Sequence, residues 1–191
     1  SDAGMPGICD PGEDLVRNAK INGIDAICIP GPCAAINALI SSGMPSSSFI
    51  FEGFLPKKKK DREEILLEIS KREKTTVLFE SPHRLLKLLN ELKDFCGGER
   101  EIQVSREITK KYEEHFNFSI NKVLDYFKKK EVVGEITLVI KGIGKKDSEF
   151  NEFQLKKELN ELIHAGLSLS AASSYLAKKK NLTKSKIYNL Y

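Results

Sequence analysis

Several short stretches of the chain carry residue types that can do chemistry. ESPHR (80–84) places a carboxylate, an imidazole and a guanidinium side by side. Glu80 and His83 have the chemistry of an acid or base, and Arg84 that of a phosphate grip. An alternative stands beside this: Ser81 caps a helix that Pro82 begins, and the charges are merely solvated. REITKKYEE (106–114) is a second charged junction. There Arg106, Lys110 and Lys111 could face a nucleic-acid backbone, and Glu107 could pair with one of them. The run Lys57, Lys58, Lys59 and Lys60 is either a solvated face or a set of phosphate contacts with steep salt dependence.

Two loops have a different character. SDAGMPGICDPG (1–12) holds three glycines, two prolines and two aspartates. Glycine allows close approach of a ligand to bare backbone, and proline fixes the loop without help from side chains. The stretch therefore suits a polar cofactor, with Asp2 or Asp10 available to a ribose hydroxyl or a cation. It equally suits a tight connection whose aspartates cap turns. GPCA (31–34) is a second rigid loop at a helix start, which favours the ligand edge. Neither loop matches GxGxxG or GxxxxGK[ST], so a nucleotide site of those types is unsupported.

The elements that position these stretches follow from apolar spacing. Residues 13–22 predict a helix and IDAICI (24–29) a buried strand of a parallel sheet. AAINALI continues as a helix ending near Gly43. FIFEGFL, TTVLFES, EIQVSREI and GEITLVIKG predict strands. DREEILLEISKRE, HRLLKLLNELKDFC and INKVLDYFKKK predict helices, with Ser81 and Ser119 as caps. A polar linker, GIGKKDSEFNE, leads to three helical stretches whose outline is that of a helix-turn-helix or of a small bundle. The fold class is α/β. Residues 1–45 read as the remnant of an N-terminal parallel-sheet domain, 46–144 as a second α/β domain, and 145–191 as a linker with a small basic helical domain.

Bulk properties narrow the classes further. No apolar run approaches the roughly 20 residues that a bilayer span needs. The four cysteines form no CxxC pair and the three histidines are scattered, which predicts small buried thiols in a reducing cytosol and no metal. The net charge of +4 is uneven: residues 165–191 hold five lysines and no acid. Lys178, Lys179 and Lys180 lead that basic end, which suits a polyanionic partner.

SDAGMPGICDPG, IPGPCAAINALISSGMP, FIFEGFLPKKKKDRE, VLFESPHRLL, SREITKKYEE and GEITLVIKG occur in this order. Together they resemble the tetrapyrrole (corrin/porphyrin) methylase superfamily. Within it they are most similar to the branch that 2′-O-methylates a cytidine of bacterial small-subunit ribosomal RNA. The resemblance implies two α/β domains, S-adenosyl-L-methionine between them, a homodimer, and N-terminal strands with a glycine-rich loop ahead of Ser1. It implies cofactor contacts at Asp2, Ala3, Gly4, Pro6, Pro32, Cys33, Ala34, Gly134 and Glu135. Glu80 or His83 would take the hydroxyl proton. Lys57 to Lys60, Arg84, Arg106, Lys110 and Lys178 to Lys180 would hold the RNA backbone. The chain departs from the family pattern at Cys9 and Cys33, where serine is usual, and at Met5, where threonine is common. Two other readings remain: a tetrapyrrole or small-molecule methyltransferase of the same fold, or a non-catalytic RNA-binding or dimerisation fragment.

Overall fold

β2 (Thr75–Glu80) and β5 (Ile136–Ile140) each carry a run of apolar residues and are buried almost throughout. They pair antiparallel, with Val77 opposite Val139 and Leu78 opposite Leu138. Continuous apolar runs of this kind belong to strands covered on both faces. β1 (Phe49–Phe54) lies parallel to β2, β3 (Glu101–Arg106) lies antiparallel to β5, and β4 (Glu114–Ser119) lies antiparallel to β3. The sheet order is β1-β2-β5-β3-β4. The computed structural model describes residues 4–144, 152–180 and 182–191.

Both faces of the sheet are covered, each for a reason visible in the helix patterns. α3 (Lys59–Lys71), α4 (Pro82–Cys96) and α5 (Ile120–Phe127) lie on one face. Their apolar stripes, including Leu66, Ile69, Leu85, Leu88, Leu92, Val123 and Phe127, close over Leu78, Val104 and Leu138. Each fully buried leucine contributes about 1.5–3 kcal/mol. α2 (Ala34–Ser42) covers the opposite face, packing Ala35, Ala38 and Leu39 on Val77 and Val139. Small residues on α2 let its axis approach the sheet closely. Gly43 ends α2 in the left-handed conformation at φ 66°.

Four sequence expectations are corrected. α1 (Glu13–Ile21) forms, but 24–29 is not a strand. Ile24, Ile27 and Ile29 are 62%, 87% and 82% exposed, and among the described residues no strand pairs with them. A β-strand is stable only with a hydrogen-bonded neighbour, so propensity alone does not make one. β4, in contrast, was not expected, because its six residues carry charge as well as aromatics. Its alternation, Glu114, Phe116 and Phe118 on one side with His115 and Asn117 on the other, is nevertheless that of a strand. Cys9 and Cys28, in the loop ahead of α1 and in the unpaired 24–29 stretch, are exposed rather than buried. Finally, Ser81 and Ser119 occupy cap positions but make no side-chain cap hydrogen bond.

The chain divides into two compact units, Ser1–Gly142 and Ile143–Tyr191. In the second, α6 (Glu152–His164), α7 (Leu169–Lys180) and α8 (Lys184–Tyr188) bury Leu155, Leu159, Ala172, Leu176 and Ile187 together. No helix among the described residues is long and apolar enough to cross a membrane.

Candidate active site

Because β5 runs opposite to β2, the carboxyl end of β2 and the amino end of β5 share one sheet edge. A cavity of about 480 Å³ opens there. Its wall is built from the loop ahead of α1 (Met5, Ile8, Cys9, Asp10), the loop into α2 (Pro32, Cys33, Ala34) and the end of β1 (Phe54). Phe79 to Pro82, Lys110, and Gly134 to Thr137 complete it. The volume falls within the range of roughly 300–1,000 Å³ typical of small-molecule sites.

The two rigid loops are held against each other by backbone. The amide of Met5 donates to the carbonyl of Pro32 at 2.8 Å. Gly4 sits at φ +78°, and a Cβ there would lie 2.4 Å from that same carbonyl oxygen. Only glycine permits this approach. β1, which lies against the first loop at Cys9, carries a register shift between Phe51 and Gly53, with Gly53 at φ +62°. The irregularity aims Phe54 into the cavity, where its ring meets Phe79 at 5.7 Å between centroids. This aromatic wall was not foreseen. Its signal is an aromatic residue at the end of β1 and a second aromatic one residue before the end of β2.

Glu80 is buried, and its carboxylate is fully engaged. Oε1 accepts from the Ser81 amide at 2.8 Å and pairs with Arg84 at 2.6 Å. Oε2 faces Arg62 at 3.5 Å, and Arg62 also binds Glu91 at 2.7 Å. A carboxylate bound this way holds the β2–α4 junction in place. His83 is exposed and does not line the cavity. Of the two candidate bases, Glu80 thus lies on the cavity wall tied to two arginines, and His83 lies outside the cavity. Arg84 is drawn to Glu80 and Ser81 Oγ, and Arg106 is drawn to Glu114 at 3.1 Å and the Val133 carbonyl at 3.3 Å.

Lys110 and Glu135, assigned separately to RNA and to cofactor, meet on the cavity wall. Lys110 Nζ lies 3.1 Å from Glu135 Oε2 and 3.1 Å from Glu107 Oε1. Glu107 and Glu135 are also latched through backbone. The Glu107 amide donates to the Glu135 carbonyl at 3.0 Å, and the Glu135 amide donates to Glu107 Oε1 at 2.8 Å. The Glu135 amide, followed by the Lys110 ammonium, holds the Glu107 carboxyl below its ordinary value. Hydrogen bonds to Glu107 and then Glu135 push Lys110 up, so it stays a cation. Glu107 and Thr109 have φ of 53° and 66° without being glycine. Such strain concentrates at functional sites.

A polar chain ties this loop to α2. Gln103 Nε2 donates to the Ala38 carbonyl at 3.2 Å and to Ser105 Oγ at 2.9 Å. Ser105 Oγ contacts His115 Nδ1 at 2.9 Å, His115 Nε2 contacts Glu113 at 2.6 Å, and Glu113 accepts from the Thr109 amide at 2.9 Å.

Of the remaining expected cofactor positions, Pro32, Cys33, Ala34 and Gly134 line the cavity, and Gly4 and Pro6 flank Met5, which does. Asp2 and Ala3 lie outside the described residues. Lys57 to Lys60 are exposed, with Lys59 and Lys60 in the first turn of α3. In the second unit Lys178 is exposed, whereas Lys179 and Lys180 reach Glu158 at 3.5 and 2.8 Å.

The sequence model for tetrapyrrole (corrin/porphyrin) methylases matches residues 1–123. The chain belongs to that family. A methylase-family relative from Synechocystis, ribosomal RNA small subunit methyltransferase I, is 42% identical over 191 residues, covering 100% of this chain and 68% of the relative. The chain spans about two thirds of the length of the curated relatives it matches. Among solved methylases, the methyltransferase CobJ superposes with a TM-score of 0.56 at 16% identity, over 73% of this chain and 62% of that one. Uroporphyrin-III C-methyl transferase from Thermus thermophilus, solved with S-adenyl homocysteine, gives 0.50 at 15% identity over 72% and 62%. These likenesses establish the mixed α/β fold of the methylase family.

Proposed function

We propose that this chain is part of an S-adenosylmethionine-dependent enzyme that methylates a ribose 2′-hydroxyl of a cytidine in small-subunit ribosomal RNA. The observation that carries the reading is the cavity at the β2/β5 edge. It gathers Pro32, Cys33 and Ala34, Gly134 and Glu135, and Lys110 from three separate segments of sequence around one space. The relatives' shared name supplies the ribosomal substrate.

The wall suits the cofactor chemically. Ile8, Phe54, Phe79 and Ile136 offer apolar surface for an adenosyl group, and the paired loops at Gly4 and Pro32 offer closely approachable backbone. Backbone contacts are indifferent to cysteine in place of serine at positions 9 and 33. When bound, S-adenosylmethionine supplies a methyl group already activated by its sulfonium. The protein's task is then alignment of the attacking oxygen, which is worth roughly 7–11 kcal/mol of barrier. Glu80 serves by fixing the β2–α4 junction through Arg62 and Arg84.

We assign Lys57 to Lys60 and the exposed lysines of the second unit to the RNA backbone, which they position without reading sequence. In this reading residues 1–45 belong to the cofactor-side domain, 46–144 to the second α/β domain and 145–191 to the basic helical domain. The working form is a cytoplasmic homodimer.

The test is transfer of a tritiated methyl group from S-adenosylmethionine to small ribosomal subunits and to their naked RNA. The expected product is a nucleotide linkage resistant to alkaline hydrolysis at a cytidine. Labelling of a base instead of the ribose, or transfer to a tetrapyrrole with none to RNA, would overturn the reading.

A further inference from the structure

We infer that Lys110 and Glu135 act as a pair on the hydroxyl nucleophile, with Lys110 holding the attacking oxygen and Glu135 receiving its proton. The inference rests on the reading of the cavity as a methyl-transfer site. Two facts about the pair lead to it. The residues come from the loop after β3 and from the position just before β5, and they meet at 3.1 Å on the cavity wall. Both side chains remain open to solvent, Lys110 at 45% and Glu135 at 79%. Glu80, on the same wall, is fully engaged by Arg62, Arg84 and the Ser81 amide.

The pair is also mounted rigidly, although it is exposed. Glu107 holds Lys110 from behind at 3.1 Å and grips the Glu135 amide at 2.8 Å. Gly134 stands at φ +90°, and a Cβ there would lie 2.4 Å from Glu107 Oε1. The backbone on either side of the pair is thus fixed, and the two ends that face the cavity are left reachable. Glu107 is a positioning residue in this scheme.

The chemistry balances. The O–H bond of the hydroxyl breaks and its proton passes to a Glu135 carboxylate oxygen. The oxygen's electron pair forms the new O–CH₃ bond. The methyl's bond to sulfur breaks, with its pair left on a neutral thioether. Lys110 keeps its three protons throughout and donates a hydrogen bond to the oxygen as negative charge develops on it. Glu135 then releases the proton to solvent.

The experiment uses the full enzyme of which this chain is part and compares the wild type with Glu135→Gln, Glu135→Asp, Lys110→Met and Lys110→Arg. It measures kcat and KM for small-subunit RNA and, independently of turnover, the affinity for S-adenosylhomocysteine by calorimetry. Glu135→Gln is expected to lower kcat by about 100-fold or more, the usual worth of a positioned base. Its S-adenosylhomocysteine affinity and KM should stay within about twofold. Glu135→Asp should recover part of the rate, and Lys110→Arg more than Lys110→Met.

Unchanged kcat in Glu135→Gln overturns the inference, as does a loss of S-adenosylhomocysteine affinity equal to the loss of rate, because Glu135 would then only hold cofactor. A wild-type full enzyme that binds S-adenosylhomocysteine but methylates neither RNA nor subunits overturns the substrate reading and the pair with it. A wild-type full enzyme that binds none overturns the cofactor assignment of the cavity itself.

Discussion

Gly134 and Glu107 leave no room between them for a methyl group: a Cβ on Gly134 would lie 2.4 Å from Glu107 Oε1. Gly134 also sits at φ +90°, where an L side chain is strained. Gly134→Ala is therefore expected to push Glu107 off the Glu135 amide and to cost roughly 1–3 kcal/mol. Chemical denaturation checks the stability. A drop in S-adenosylhomocysteine affinity in the same variant would tie the latch to the cavity.

Arg62 is nearly buried and holds two carboxylates, Glu80 at 3.5 Å and Glu91 at 2.7 Å. Arg62→Met would remove the arginine from Glu80 Oε2 and from Glu91, leaving Arg84 and the Ser81 amide on Glu80 Oε1. Breaking a buried pair from one side costs about 3–5 kcal/mol. The urea midpoint should fall accordingly. A shift below 1 kcal/mol would mean that Arg84 alone satisfies Glu80.

The knot at Glu114 predicts a dependence on pH. Burial pushes this carboxyl up, but hydrogen bonds from Lys130, Tyr126 and Arg106 outweigh it and hold the group down to about 2, against an ordinary 4.5. A depressed folded-state value adds stability that is complete above the unfolded value and lost as pH falls toward the folded one. At neutral pH the contribution is up to about 3 kcal/mol, from 1.36 kcal/mol per unit. Wild type and Glu114→Gln should differ most above pH 5 and converge near pH 2 when their unfolding free energies are measured side by side.

The lysines of the second unit are not equivalent. Lys179 and Lys180 are already paired with Glu158, whereas Lys178 is exposed. Lys178→Gln should lower the log–log salt slope of RNA binding by about 0.7–0.9, the share of one phosphate contact. Lys180→Gln should change the slope less and should lower the melting temperature. Filter binding across a salt series, with a thermal melt of each variant, separates the two.

Much of this was legible in the sequence, and what was not has a physical cause. The helices over 13–22 and 83–96 and the strands at 75–81 and 134–142 followed from local period and breakers, since each carries its own pattern. The strand expected at 24–29 did not form, because strand formation depends on a neighbour that local pattern does not contain. The same non-locality hid the Lys110–Glu135 pair: its partners lie in separate segments, each reading as an ordinary charged junction. ESPHR drew attention as the richest cluster. Its glutamate is nevertheless occupied by Arg62, a residue within a charged helix that offered no signal of burial. The cavity loops, rich in glycine and proline, were legible because backbone constraint is written in residue type.

The central claim is that the cavity at the β2/β5 edge holds S-adenosylmethionine. The most direct test is calorimetric titration of S-adenosylhomocysteine into the wild-type chain and into Ala34→Trp, which fills the cavity from an exposed position at the start of α2. The account predicts saturable one-site binding to wild type, weakened at least about tenfold, or ~1.4 kcal/mol, in the variant. No heat with wild type, or equal affinity in both proteins, would contradict it.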